Sequence, residues 1–195
     1  MPSVFSRKNQ SEKTASKTTP KITKALSKHI KEHCKIGGPL IYLAGPMEDT
    51  LDFGANWRAE YTEVLNQNGF DVINPFLLEH TQKVLSGVLP GESFNFIKEV
   101  DLPRYKHVMR TIIKLDLQAV EACDILLCKF NGEKTAGTIH EVGHAYYNLG
   151  IPCFLVSELT TKNILGWFLA CFEQHAPSLN ILLPIIRRQA GFDLF

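Results

Sequence analysis

Two acidic side chains, Glu141 and Asp116, stand where an acid needs a reason. Glu141 lies in Gly137-Thr138-Ile139-His140-Glu141-Val142-Gly143-His144-Ala145, a segment whose apolar stripe is Ile139, Val142, Gly143, Tyr146 and Leu149 at helical spacing. Glu141 falls off that stripe, in the first turn. Asp116 sits on one, with Ile112, Ile113, Ala119, Val120 and Cys123 at −4, −3, +3, +4 and +7. A carboxylate among apolar neighbours is costly unless it is paired, and its pKa is open to being raised. Two carboxyls in unlike surroundings suit a division of labour, one ionised to attack and one protonated to donate. Cleavage of a glycosidic bond with retention uses such a pair.

Other readings use the same residues. Thr138 and Glu141 match the S/T-x-x-E capping box, which satisfies free amides at a helix start, and Asp116 could simply bond a neighbouring amide. His140-Glu141-Val-Gly-His144 is also H-E-x-x-H, the zinc-peptidase arrangement of two imidazoles around a general base. Glu158, Glu173 or His175 would have to supply its third ligand. The longer metzincin pattern fails, because Tyr147 and Gly150 occupy its Gly and His positions. A non-catalytic nucleotide-binding module is a further alternative.

The elements that must position these residues alternate. Residues 39–44, 70–75, 124–130 and 151–156 are predicted strands, with a last one at 180–184. Residues 54–68, 105–123, 138–149 and 160–175 are predicted helices. Residues 76–104 are interrupted by Gly87, Pro90-Gly91 and Pro103 and are not assigned; Arg104, His107 and Arg110 nearby could touch a substrate. Continuous apolar strands between helices imply a parallel sheet covered on both faces. The expected fold is α/β, a single doubly wound Rossmann/flavodoxin-like sandwich over residues 37–195. Ligands in such folds gather at the carboxyl ends of the strands. Gly45-Pro46 after the first strand and residues 131–137 after the third lie on that edge.

The 195 residues are 45% hydrophobic and 21% charged, enough for one domain and unlike a disordered or collagen-like chain. Five cysteines without a C-x-x-C spacing argue against a disulfide scaffold and for a reducing, cytoplasmic setting. No apolar run reaches the roughly 20 residues of a membrane span, and residues 1–10 lack the apolar core of a secretory signal. Residues 1–36 carry a balance of +7 and residues 37–195 one of −6, which together give the net +1. The front is read as a basic, solvated tail, with nucleic acid contact as the lesser alternative. Ile22, Leu26 and Ile30 suggest a short amphipathic helix over 21–34.

Taken in order, Ile41-Tyr42-Leu43-Ala44-Gly45-Pro46, Asp116 with Asp124 eight residues on, Gly137-Thr138-x-x-Glu141-x-Gly143-x-Ala145 and the strand after Ile151-Pro152 resemble the nucleoside 2-deoxyribosyltransferase family. That family includes the deoxynucleoside 5′-monophosphate N-glycosidases. The resemblance implies that Glu141 is the nucleophile at the anomeric carbon and Asp116 the acid that assists departure of the base. It implies that Tyr42, Gly45 and Pro46 line the pocket and that Gly137-Thr138 form the turn at the sugar. It further implies a homo-oligomer with no metal or other cofactor. Deoxyribosyltransferases commonly carry an Asp six residues before the nucleophile; this chain has Thr135. A hydroxyl at a helix start suits an anion, which a carboxylate would repel, and Lys134 would add charge. The expected substrate is therefore a nucleoside 5′-monophosphate, with water as acceptor; transfer of 2-deoxyribose between bases is the alternative.

Overall fold

A computed structural model describes residues 24–47, 52–78, 81, 94–133 and 135–192. Five strands form one parallel sheet: β1 (Leu40–Ala44), β2 (Asp71–Ile73), β3 (Ile125–Lys129), β4 (Cys153–Val156) and β5 (Gln174–Ala176), in the order β2-β1-β3-β4-β5. Ile41 stands opposite Ile125, Leu43 opposite Leu127, and Leu126 opposite Cys153. Alternation along each strand divides the core in two. Tyr42, Ala44, Leu126, Cys128 and Leu155 pack on one face, and Ile41, Leu43, Ile125, Leu127 and Phe154 on the other. Both faces are covered, so the strands read as continuous apolar runs.

The first face is covered by α1 (Lys24–His33), α4 (Leu102–Glu121) and α5 (Ala136–Gly143), which contribute Leu26, Ala119, Val120 and Val142. The second takes Tyr61 and Leu65 from α2 (Ala55–Gln67), and Leu179, Leu182 and Ile186 from α7 (Leu179–Gln189). The remaining helices are short, α3 (Phe94–Val100) and α6 (Gly166–Leu169). The chain leaves β1 for β2 through α2 and returns through α4 to β3, on β1's other side. The connections therefore diverge between the carboxyl ends of β1 and β3, the switch point at which an open α/β sheet leaves a crevice.

The predicted strands at 39–44, 124–130 and 151–156 match β1, β3 and β4, and the strand at 70–75 is shorter than expected. The basic residues 1–23 lie outside the described residues. The short helix expected over 21–34 is α1, which buries Leu26 and His29 against the domain.

Two assignments near the carboxyl end are corrected. Residues 180–184 are helical, within α7: Leu182 and Ile186 are buried one turn apart, whereas Ile181 and Ile185 are exposed. Pro184 interrupts this helix on its exposed side, where water can satisfy the carbonyl left without a donor. The helix expected over 160–175 resolves into a 3₁₀ turn (Thr161–Asn163), α6 and β5. β5 carries no apolar run because it is a three-residue edge strand with Gln174 exposed.

Two helix starts also differ. Pro103, read as an interruption, occupies the first turn of α4, where a missing N–H costs nothing, and Asp101 caps that end by accepting from Arg104 N at 3.0 Å. α5 begins at Ala136 with Thr135 as its cap, and after Gly143 it widens into a π turn (His144–Leu149). Its buried residues are Thr138, Val142 and Ala145, so Ile139, Tyr146 and Leu149, expected in the core, are exposed.

Candidate active site

β1 ends in Tyr42-Leu43-Ala44, all fully buried, and delivers Gly45 to the mouth of the crevice. A Cβ on Gly45 would lie 2.6 Å from the Trp57 ring and 3.1 Å from the Lys129 carbonyl, so only glycine lets the chain pass there. The loop is held by Arg58, which reaches across from α2. Its Nη2 donates to Gly45 O at 2.7 Å, and its Nη1 lies within 3.2–3.4 Å of the carbonyls of Gly54, Phe53 and Pro46. The guanidinium also stacks on Trp57, 4.4 Å from the ring centroid.

α5 starts just past the end of β3. Thr135 Oγ1 accepts from Thr138 N at 3.2 Å and shares a 2.6 Å hydrogen bond with Thr138 Oγ1. Thr138 is therefore buried inside the helix and is not its cap. The capping box is not made, and Glu141 is released for another task. One turn on, the Tyr42 hydroxyl donates to Glu141 Oε1 at 2.8 Å, tying the first strand to the fifth helix. Enclosure of the carboxyl, and then the nearby charge of Asp116, push Glu141 up to about 8, while the Tyr42 hydrogen bond and the Arg58 charge oppose the rise. Burial, with the charges of Asp116 and Glu141, likewise holds the Tyr42 hydroxyl well above its usual range.

Asp116 comes from the middle of α4 and is only 6% exposed. The helix turns from core to cavity at that point. Below it, Ala119, Val120 and Cys123 are buried in the core; above it, Ile112 and Ile113 face open space. That space is a cavity of about 350 Å³, of the size that holds a small organic ligand. Asp116 and Glu141 both line it. Tyr105, Met109, Ile112 and Met47 give it an apolar wall, and Thr135, Ala136 and Gly137 present the start of α5. An apolar wall, a carboxyl pair and a helix N-terminus meet in one hollow.

The other expected site residues are distributed unevenly. Gly45, Thr135, Gly137 and Thr138 line the cavity. Tyr42 does not; it lies beneath the floor and acts on Glu141. Pro46 is also buried behind the wall and offers its carbonyl to Arg58. In the first turns of α4 the lining residues are Tyr105 and Met109, one turn apart, whereas Arg104, His107 and Arg110 are not part of the lining. Lys134 lies outside the described residues. Asp124, part of the recognised pattern, works at the opposite edge of the sheet, where it accepts from Leu40 N at 2.8 Å and fixes the start of β1.

The H-E-x-x-H residues do not converge. His140 is exposed at the cavity rim. His144 shares a 2.9 Å hydrogen bond with Asn148, and its Nε2 faces Glu121 at 3.5 Å. Among the described residues no three His, Cys, Asp or Glu side chains gather as a ligand set. Arg58, Tyr105 and Met109 were not anticipated. A buried arginine carries no sequence signal of its own, and the other two follow only from the length of α4.

A sequence model of the nucleoside 2-deoxyribosyltransferases matches residues 41–182, from β1 into α7. The chain belongs to the nucleoside 2-deoxyribosyltransferase family. It is therefore an enzyme of the group that works on the bond between sugar and base, and the matched region holds both carboxyls and the glycine loop. Among solved structures it is similar to a 2-deoxyribosyltransferase from Bacillus psychrosaccharolyticus, 22% identical over 73% of this chain and 89% of that one, with a TM-score of 0.50. This likeness is one of fold. A conserved protein from Enterococcus faecalis V583 is 18% identical, covering 78% of this chain and 99% of its own, with a TM-score of 0.49. No curated protein matches the sequence significantly. Among the described residues no helix is long and apolar enough to cross a membrane.

Proposed function

We propose that this deoxyribosyltransferase-family enzyme cleaves the N-glycosidic bond of a nucleoside 5′-monophosphate through a covalent glycosyl-Glu141 intermediate, with water as the final acceptor. The observation that carries the reading is the Glu141 carboxyl, bonded to Tyr42 at 2.8 Å and facing the same cavity as Asp116. Ionised Glu141 attacks the anomeric carbon, the carbon–nitrogen bond breaks, and its electron pair leaves with the base as Asp116 gives that base a proton. The carboxylate of Asp116 then takes a proton from water. The water oxygen attacks the same carbon, and the Glu141 ester is released as a free carboxylate. A close carboxyl pair that resists double ionisation suits this sequence, since one member must attack and the other donate.

The choice of a monophosphate rests on the start of α5, which lines the cavity with Thr135, Ala136 and Gly137 and has no acidic side chain at 135. The test is release of free base from a panel of nucleosides and nucleoside 5′-monophosphates, with and without an acceptor base. Base should be freed from a monophosphate without forming an exchanged nucleotide. Glu141→Gln should lower the rate by about a thousandfold or more, as loss of a covalent nucleophile does. Efficient exchange would move the reading to transfer, and an active Glu141→Gln enzyme would remove the covalent step.

A further inference from the structure

Arg58 is the largest fully buried side chain of the described residues, and the helix that carries it, α2, covers the face of the sheet opposite to α4 and α5. A guanidinium that deep needs compensation for lost water. It finds part of this in four backbone carbonyls, of Gly45, Pro46, Phe53 and Gly54, which are the two ends of the loop joining β1 to α2. Gly54 is left-handed, with φ 71°, and a Cβ there would lie 2.3 Å from Arg58 Nη1. Backbone and arginine are thus fitted to one another. Carbonyls alone do not neutralise a cation. The charged and titratable groups facing it are Tyr42 on β1, Cys128 on β3, Asp116 on α4, Glu141 on α5 and Asp52 before α2.

We infer that Arg58 is a positioning residue of the catalytic pair: it clamps the Gly45 loop into the wall of the cavity and places a buried positive charge behind Glu141 and Asp116. The inference rests on the proposed role of Glu141. Its two halves are separable, because a lysine keeps the charge but lacks the planar fork that reaches both loop ends. The same charge opposes the upward pressure that burial and Asp116 exert on Glu141, and so favours the ionised form needed for attack.

The experiment compares Arg58→Lys and Arg58→Gln with wild type in two ways. In base release from pH 5 to 9, Arg58→Gln should move the acidic limb of kcat/KM upward by about one unit, the usual scale for removing a nearby opposite charge. Arg58→Lys should leave the limb in place but lower kcat/KM on the order of tenfold through the loosened loop. The second readout needs no activity. In the ligand-free protein, the fall in Tm caused by Arg58→Gln should grow as pH rises from 5 to 9, because Glu141 then ionises without its cation. Placing Glu141→Gln in the same chain should flatten that growth. An equal fall in Tm at every pH, unchanged by Glu141→Gln, overturns the inference even if the enzyme proves to act on another substrate. An unshifted limb in an active Arg58→Gln enzyme overturns it as well. If Arg58→Gln does not fold, the Arg58→Lys profile decides, and an acidic limb displaced as far as the kcat/KM loss requires refutes the division of roles.

Discussion

Replacing Tyr42 with phenylalanine deletes one oxygen and tests the central geometry. That hydroxyl is fully buried and donates to Glu141 Oε1 at 2.8 Å. A hydrogen bond to a charged group is worth about 1.5–3 kcal/mol, or roughly 10- to 150-fold in rate if its whole value is expressed when Glu141 is ionised and attacking. The bond opposes the two upward influences on Glu141. Without it the carboxyl should lose its proton about one unit higher. The acidic limb of kcat/KM therefore moves up by that amount, and the deficit shrinks above the new limb to the part that reflects positioning alone. Folding should change less, since a net hydrogen bond contributes about 1 kcal/mol, equivalent to about 2–4 °C in Tm for a domain of this size. Base release between pH 5 and 9, with a melting curve at each pH, measures both. A Tyr42→Phe enzyme with its limb unmoved and its rate within twofold of wild type would show that Tyr42 does not govern Glu141.

Thr135→Asp keeps a good helix cap but sets a carboxylate where the phosphate should lie. It should lower kcat/KM for a 5′-monophosphate about a hundredfold and leave the matching nucleoside within a few-fold; equal losses would remove the phosphate from this end of α5. The raised pKa of Glu141 also predicts a pH dependence of stability. The folded state holds this proton more tightly than the unfolded chain does. The resulting stability is present at and below the ordinary Glu value of 4.5 and is lost as pH rises through about 8. Groups such as Asp52, held low by hydrogen bonds from Asn56 and Gly54 amides, have the opposite sign at acid pH. The quantity to measure is therefore the Tm of wild type minus that of Glu141→Gln, which should decline between pH 5 and 9. A flat difference would place Glu141 at an ordinary pKa.

The site was legible where chemistry conflicts with pattern. Asp116 on an apolar stripe needs a partner for its carboxyl, and the cavity opening at Ile112 and Ile113 accounts for its place: half of that stripe packs against protein and half lines open space. Glu141 was legible as an acid out of register, although for a partly mistaken reason. The stripe assumed to bury Ile139, Tyr146 and Leu149 is not the buried one: Ile139 already points outward within α5, and Tyr146 and Leu149 lie exposed on the π turn after Gly143. Strands buried on both faces declared themselves by continuous Val, Ile and Leu runs. β5 did not, because an edge strand of three residues has neither the length nor the burial to leave a pattern.

Arg58 marks a different limit. In the sequence it is one basic residue in a polar helix, and nothing in its spacing shows that it will be buried. Its environment exists only after β1, α2 and the Gly45 loop have met at the switch point. Local pattern reveals residues whose burial conflicts with their chemistry, such as Asp116, because their neighbours in sequence are also their neighbours in space. It is silent about a charge whose partners come from β1, α4 and α5. In the proposed mechanism two of those partners, Glu141 and Asp116, are the reacting groups. The residue least visible in the sequence is therefore one whose removal should change how Glu141 and Asp116 share a proton.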